Sequence, residues 1–153
     1  MKIKIATVDE IQQIEILYQE LFLEMSILQP NYRKPAKQDV EFIRNTINEK
    51  ESDILIAEIN KHVAGFLLVQ ETITPSYSCL VQHKYAFITD VIVGKPYQNQ
   101  GIGSALLLEA KNWAQDRNLD YLELSVLTEN TGAISLYEKH GFKDMNHTMR
   151  LEF

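Results

Sequence analysis

The sequence predicts an α/β fold: a short strand, two helices, a run of antiparallel strands, then strands and helices in alternation. Three observations lead there. Apolar residues recur at helical intervals through Ile11, Ile14, Leu17, Tyr18, Leu21, Phe22 and Met25. The segments 53–59, 62–72 and 85–93 are rich in β-branched and aromatic residues and are bounded by turn residues. Finally, Phe87–Val93, then Gly94 and Pro96, then the apolar-periodic Ser104–Ala114 read as strand, turn and helix in direct succession.

In chain order, Ile3–Ala6 is a short strand, and Thr7 stands as N-cap of the first helix with Glu10 three residues on, the spacing of a capping box. Glu10, Glu15, Glu20 and Glu24 fall largely off the apolar stripe and form a solvated face. Pro30, Asn31 and Pro35 make Leu28–Lys37 a loop. A second helix over Gln38–Glu49 buries Val40, Phe42, Ile43 and Ile47. Asp53–Ile59 and His62–Thr72 form a hairpin across Asn60-Lys61, with Ala64, Phe66 and Leu68 expected on one face. Thr74–Lys84 is a long connection of the kind that often carries function. It leads to the strand Tyr85–Val93. The helix Gly101–Arg117 buries Leu106, Ala110 and Trp113, and Asn118 suits a left-handed cap. Tyr121–Leu127 reads as a strand, Asn130–His140 as a helix stopped by Gly141, and Phe142–Phe153 as a final extended segment.

The chain of 153 residues is one expected domain, 1–153, with no repeat or composition break. Its 45% hydrophobic and 24% charged residues are those of an ordinary globular protein. No apolar run reaches the roughly 18 residues of a membrane span, and Met1–Ile5 lacks a signal-peptide core, so a cytoplasmic protein with no membrane partner is expected. The single Cys79 forms no internal disulfide, has no evident His partner as a nucleophile, and excludes a thiolate metal cluster. His62, His83, His140 and His147 lack ligand spacing, so no metal is expected. A net charge of −6 argues against nucleic acid and permits a cationic substrate.

The strand-turn-helix junction is the candidate binding site. Glycines there admit positive φ and close approach to backbone, and the first helical turn offers free N–H groups and partial positive charge, a combination suited to phosphate. Gly101 and Gly103 are followed by Ser104 without the lysine of a P-loop, and only two glycines are present where a dinucleotide fingerprint needs three.

What matches is Gln-x-x-Gly-x-Gly at Gln98, Gly101 and Gly103, which resembles the acetyl-CoA diphosphate loop of the GNAT superfamily of N-acetyltransferases. Asn130-Thr131-Gly132-Ala133-Ile134-Ser135-Leu136-Tyr137-Glu138-Lys139-His140-Gly141-Phe142 is similar to a second motif of that family, Asn-x-x-Ala-x-x-Leu-Tyr-x-x-x-Gly-Phe. The resemblance is specific over residues 85–142. It implies the GNAT acyl-CoA N-acyltransferase fold, a mixed, mostly antiparallel central sheet flanked by helices, and a co-substrate, acetyl-CoA.

Carried over residue by residue, the resemblance implies that Gln98, Asn99, Gln100, Gly101, Ile102, Gly103 and Ser104 hold the diphosphate. It assigns the pantetheine amides to the backbone of Val91 and Val93, and the CoA arm to Asn130. Many relatives carry Arg-Gly-x-Gly-x-Gly where this chain has Gln98-Asn99-Gln100-Gly101-Ile102-Gly103, so the common arginine is missing, while Asn99 tolerates the left-handed conformation.

The implied reaction is acetyl transfer from the thioester to a primary amine in a ternary complex. It needs a proton acceptor for the amine, an N–H donor for the carbonyl oxygen and a proton for the departing sulfur. The backbone N–H of Val91 and the hydroxyl of Tyr137 fit the last two roles. Asp90 corresponds to a family aspartate; strand alternation turns it and Thr89 to opposite faces, and it is either catalytic or structural. A water chain or Glu71 could otherwise take the proton. Tyr137 could instead fill the core, and Asn130 could be a helix N-cap. The rival function is a non-catalytic acyl-CoA-binding or sensor domain. Relatives also pair through their last strands or sheet edges, and Met145, Met149, Leu151 and Phe153 alternate with polar residues, so a homodimer is expected.

Overall fold

The computed structural model describes residues 1–153. Five strands form one sheet in the order β1-β2-β3-β4-β5, with β1 Lys2–Ile5, β2 Ser52–Ile59, β3 His62–Ile73, β4 Lys84–Val93 and β5 Leu122–Leu124. The first four are antiparallel to their neighbours, and only β4 and β5 are parallel. Four helices flank the sheet: α1 Ile11–Leu28, α2 Val40–Asn48, α3 Ile102–Asp116 and α4 Thr131–Lys139.

Local chemistry sets several boundaries. Thr7 Oγ1 accepts from Asp9 N–H while Glu10 Oε2 accepts from Thr7 N–H at 2.8 Å, closing the capping box in a 3-10 turn that runs into α1. Asp39 caps α2, its Oδ1 accepting from Glu41 N–H at 2.9 Å. Asn60 and Lys61 both take positive φ, 51° and 66°, the two-residue turn whose twist suits a hairpin. Asn118, at φ 54°, follows the end of α3 as expected.

The sheet separates two cores. One face of the strands, with Ile54, Ile56, Phe66, Leu68 and Ile92, packs against Ile11, Ile14 and Tyr18 of α1 and Ile43 of α2. The opposite face, with Leu55, Ala57, Leu67, Val69, Ala86 and Ile88, packs against Ile102, Leu106, Ala110 and Trp113 of α3. Ala64 belongs to this second core and does not share a face with Phe66 and Leu68. The registers Ala57↔Gly65 and Glu58↔Val63 leave Ala64 as an extra residue on β3, and that bulge reverses the alternation.

Two expectations at the end of the chain are corrected. β5 is three residues, not Tyr121–Leu127, because β4 diverges from it and the parallel ladder stops at Ile88↔Leu124. Phe142–Phe153 adds no strand to the sheet, which therefore ends at β5.

Candidate active site

The divergence of β4 from β5 opens the sheet. Gly94 N–H donates to Ala64 C=O on β3 at 2.9 Å, so strand alternation turns the N–H and C=O groups of Val91 and Val93 the other way, to the edge β5 has left. The Val93 carbonyl accordingly accepts a hydrogen bond from Gln98 Nε2 at 3.1 Å instead of from a strand.

A second bulge decides what the β4 side chains face. Leu68 pairs with Asp90 and Val69 with Ile88, leaving Thr89 as the extra residue. Ala86 and Ile88 lie in the α3 core; after the bulge it is Val91 and Val93 that pack toward that core, while Asp90 and Ile92 turn to the α1 side. Strict alternation across Thr89 and Asp90 therefore does not hold. Thr89 is exposed, and Asp90 is partly buried beneath α1.

The open edge runs into the Gly94–Ser104 turn. Asn99 has φ 60° and Gly101, the residue before α3, has φ 80°. Ala105 N–H bonds to Gly101 C=O, while the N–H groups of Ile102, Gly103 and Ser104 have no backbone acceptor and crown a 15-residue helix. A Cβ placed on Gly101 would meet nothing within 4 Å. Gly103 differs: it is helical, and its Cβ would stand 3.0 Å from Leu136 Cδ2, so the missing side chain there serves the contact between α3 and α4. Ile102 contributes only backbone to the turn, because its side chain is 2% exposed in the core. Gln100 Nε2 donates to Pro96 C=O at 3.1 Å, bracing the turn. Ser104 Oγ lies 2.9 Å from His140 Nε2.

On α4, Asn130 Oδ1 accepts from Ala133 N–H at 3.2 Å, so Asn130 is the N-cap of that helix. Tyr137 packs against the α3 core with its ring 5.8 Å from that of Phe142. Burial raises its phenol above the ordinary value of 10.0, so it is protonated at neutral pH, and no protein group shares its hydroxyl. Asp90 lies across the sheet from it. The hydroxyl of Tyr18, whose side chain is fully buried, donates to Asp90 Oδ2 at 2.9 Å. Burial raises the Asp90 carboxyl above its ordinary 3.8, and the Tyr18 hydrogen bond opposes that rise.

Several contacts were invisible in the sequence. Tyr18 reads as one more apolar-stripe residue, and nothing marks its hydroxyl. Glu20 and Glu24 of the supposed solvated face reach the turn: Glu20 Oε2 accepts from Lys95 N–H at 3.3 Å, and Glu24 Oε1 lies 3.5 Å from Gln98 Nε2. Glu71 is at the wrong end of the sheet. It pairs with Ala86 in register and with Lys84 Nζ at 3.5 Å, and the four register steps from Glu71↔Ala86 to Leu67↔Val91 span roughly 13 Å of strand. The Thr74–Lys84 connection and the exposed Cys79 lie at that far end as well.

The Acetyltransferase (GNAT) family model matches residues 14–142. The chain belongs to the GNAT acetyltransferase family. It is 30% identical over 103 residues to an uncharacterized N-acetyltransferase of Bacillus subtilis, a match spanning 67% of this chain and 66% of that protein. The chain thus spans just under two thirds of that relative's length. Its fold is similar to that of a Bacillus halodurans protein solved as a mutant (TM-score 0.94, 19% identity, 100% of this chain and 99% of that one). It is also similar to an aminoglycoside N-acetyltransferase solved with CoA (TM-score 0.77, 12% identity, 99% and 98% covered). For a GNAT protein, the family's acetyl-CoA can be tested against the residues present. The open space over Gly101, the three free N–H groups beside it and the unpaired edge at Val91 and Val93 fit a diphosphate followed by an amide-bearing chain.

Proposed function

We propose that this protein transfers the acetyl group of acetyl-CoA to a primary amine, the two substrates meeting where β4 leaves β5. The observation that carries this reading is the continuity of the unpaired β4 edge with the uncapped N-terminus of α3 through the positive-φ turn at Asn99 and Gly101. The N–H groups of Ile102, Gly103 and Ser104 would receive the diphosphate. Gln98, Asn99 and Gln100 would shape the turn around it, and Val91 and Val93 would hold the chain beyond. Asn130 would act through the start of α4, since its oxygen is occupied in capping.

Acetyl-CoA supplies the acyl group as a thioester. In our reading Asp90 accepts the proton that the ammonium must lose before its nitrogen has a lone pair, and the raised pKa of a buried carboxyl makes it a better base. Val91 N–H donates to the carbonyl oxygen as charge builds there. As the new C–N bond forms and the C–S bond breaks, the Tyr137 hydroxyl gives its proton to the departing sulfur, and the second proton shed by the attacking nitrogen returns to the tyrosinate through solvent. With Asp90 on the α1 side and Tyr137 on the α3 side, acid and base sit on opposite faces of the opened sheet, so that amine and thioester can approach from two directions.

The test is to incubate the protein with acetyl-CoA and a panel of primary amines and look for the N-acetylated product by mass spectrometry. Acetyl-CoA should also raise the melting temperature where ATP does not. Product from none of the amines, alongside a clear acetyl-CoA shift, would favour the non-catalytic binding domain.

A further inference from the structure

The loop between α1 and α2 folds a recess against the first helix, one turn beyond the residue that holds Asp90. Tyr18, Phe22 and Met25 stand at i, i+4 and i+7 and share one stripe of α1. Tyr18 donates to Asp90, and its ring lies 5.5 Å from that of Phe22. Phe22 and Met25 are the partly buried floor of an open pocket of 260 Å³, and Tyr32, Arg33 and Lys34 are its exposed rim. Just past the end of α1, Gln29 Nε2 donates to Glu129 Oε2 at 3.1 Å, next to the α4 cap Asn130. The stripe that floors the recess therefore leads from Asp90 toward the gap between β4 and the start of α4.

Cations crowd the rim without partners. Arg33 Nη1 lies 4.0 Å from Met25 Sδ, and the Arg150 guanidinium lies 3.7 Å over the Tyr32 ring. Arg33, Lys34 and Arg150 take part in none of the ion pairs of the chain, although its net charge is −6. Guanidiniums laid on soft side chains, their N–H edges unused by any protein oxygen, are suited to a carboxylate, which they can hold bidentately.

We propose that this recess receives the far end of the amine acceptor, and that the acceptor is an ω-amino carboxylate: a primary amine, an apolar body and a terminal carboxylate. The assignment rests on the acetyl-transfer reading above. The ammonium end meets Asp90, the body covers Phe22 and Met25, and the carboxylate meets Arg33 and Arg150. The rise along α1 from Tyr18 to Phe22 and Met25 sets the two charges ~6–10 Å apart. A diamine, by contrast, would bring a second positive charge among three unpaired cations.

Four amines separate these terms: 6-aminohexanoate, hexylamine without the anion, 1,6-diaminohexane with the opposite charge, and β-alanine, which is too short. With saturating acetyl-CoA, kcat/KM should be about tenfold or more higher for 6-aminohexanoate than for hexylamine or β-alanine, and lowest for the diamine. Arg33→Gln and Arg150→Gln alter exposed side chains. Each should lower the preference for 6-aminohexanoate over hexylamine about tenfold, through KM and not kcat, with the acetyl-CoA melting shift retained. A preference for hexylamine or the diamine, or equal losses on both amines in the variants, would overturn the assignment. Acetylation of no amine would count against the transfer reading instead, and the recess is then judged by calorimetric titration of CoA-loaded protein. There, 6-aminohexanoate binding more tightly than hexylamine, and more weakly to both variants, supports it; equal binding or none overturns it.

Discussion

The hydroxyl of Tyr18 on α1 donates to the carboxylate of Asp90 on β4 across 2.9 Å, joining residues 72 positions apart beneath the open end of the sheet. The bond occupies one of the two carboxylate oxygens. It also sets the stability cost of the site, because a buried carboxylate is retained there with one neutral donor.

Asp90→Asn keeps an oxygen to accept from Tyr18 and removes the buried charge. Because the folded-state pKa of Asp90 is raised, its contribution to stability is present in acid and is lost as pH rises from the ordinary 3.8 through the raised value. The melting temperature of Asp90→Asn at pH 7 should therefore equal or exceed that of the wild type, while turnover falls by roughly 10²–10⁴-fold. A drop in melting temperature with turnover intact would make Asp90 structural.

Tyr18→Phe removes the donor that holds the Asp90 carboxyl down, so its pKa should climb further. The acid limb of the pH profile of kcat/KM should move to higher pH, with a loss of stability of about 1–3 kcal/mol from the stranded carboxylate. An unmoved limb would separate Asp90 from the proton transfer.

Gly101 and Gly103 should respond differently although both stand in one motif. Gly101→Val places a branched side chain in the open space of the turn, at a φ of 80° that disfavours it, and should abolish the melting shift given by acetyl-CoA. Gly103→Val presses on Leu136 and should cost stability of about 1–3 kcal/mol even without ligand. Calorimetry of each variant with and without acetyl-CoA tells the two effects apart.

Tyr137→Phe keeps the ring packed against Phe142 and removes a hydroxyl that no protein group uses. Its melting temperature and its acetyl-CoA shift should match the wild type, and its turnover with a fixed amine should fall by roughly 10²–10⁴-fold. Full activity in this variant would take Tyr137 out of the mechanism.

Features set by neighbouring residues were legible in the sequence. The Thr7–Glu10 box, the Asn60-Lys61 turn, the left-handed Asn99, Gly101 and Asn118, and the strand-turn-helix order all follow from local chemistry. What depended on pairing was not. The bulges at Ala64 and Thr89 exist only relative to a partner strand, and the second of them decides which face Asp90 meets. The Tyr18 contact needs α1 laid over β4, and the end of β5 is set by the divergence of β4. The alternation in 143–153 has the period of a strand, yet the segment pairs with no strand of its own chain.

Acetyl transfer to an amine, and not merely acyl-CoA binding, is the role we assign to the open β4 edge. Free-thiol release from saturating acetyl-CoA, measured with and without each primary amine of the panel, tests it most directly. An acetyltransferase working by direct attack should give release that rises with the concentration of at least one amine and saturates. Release no faster with any amine than without, from protein that acetyl-CoA demonstrably stabilises, would contradict that role.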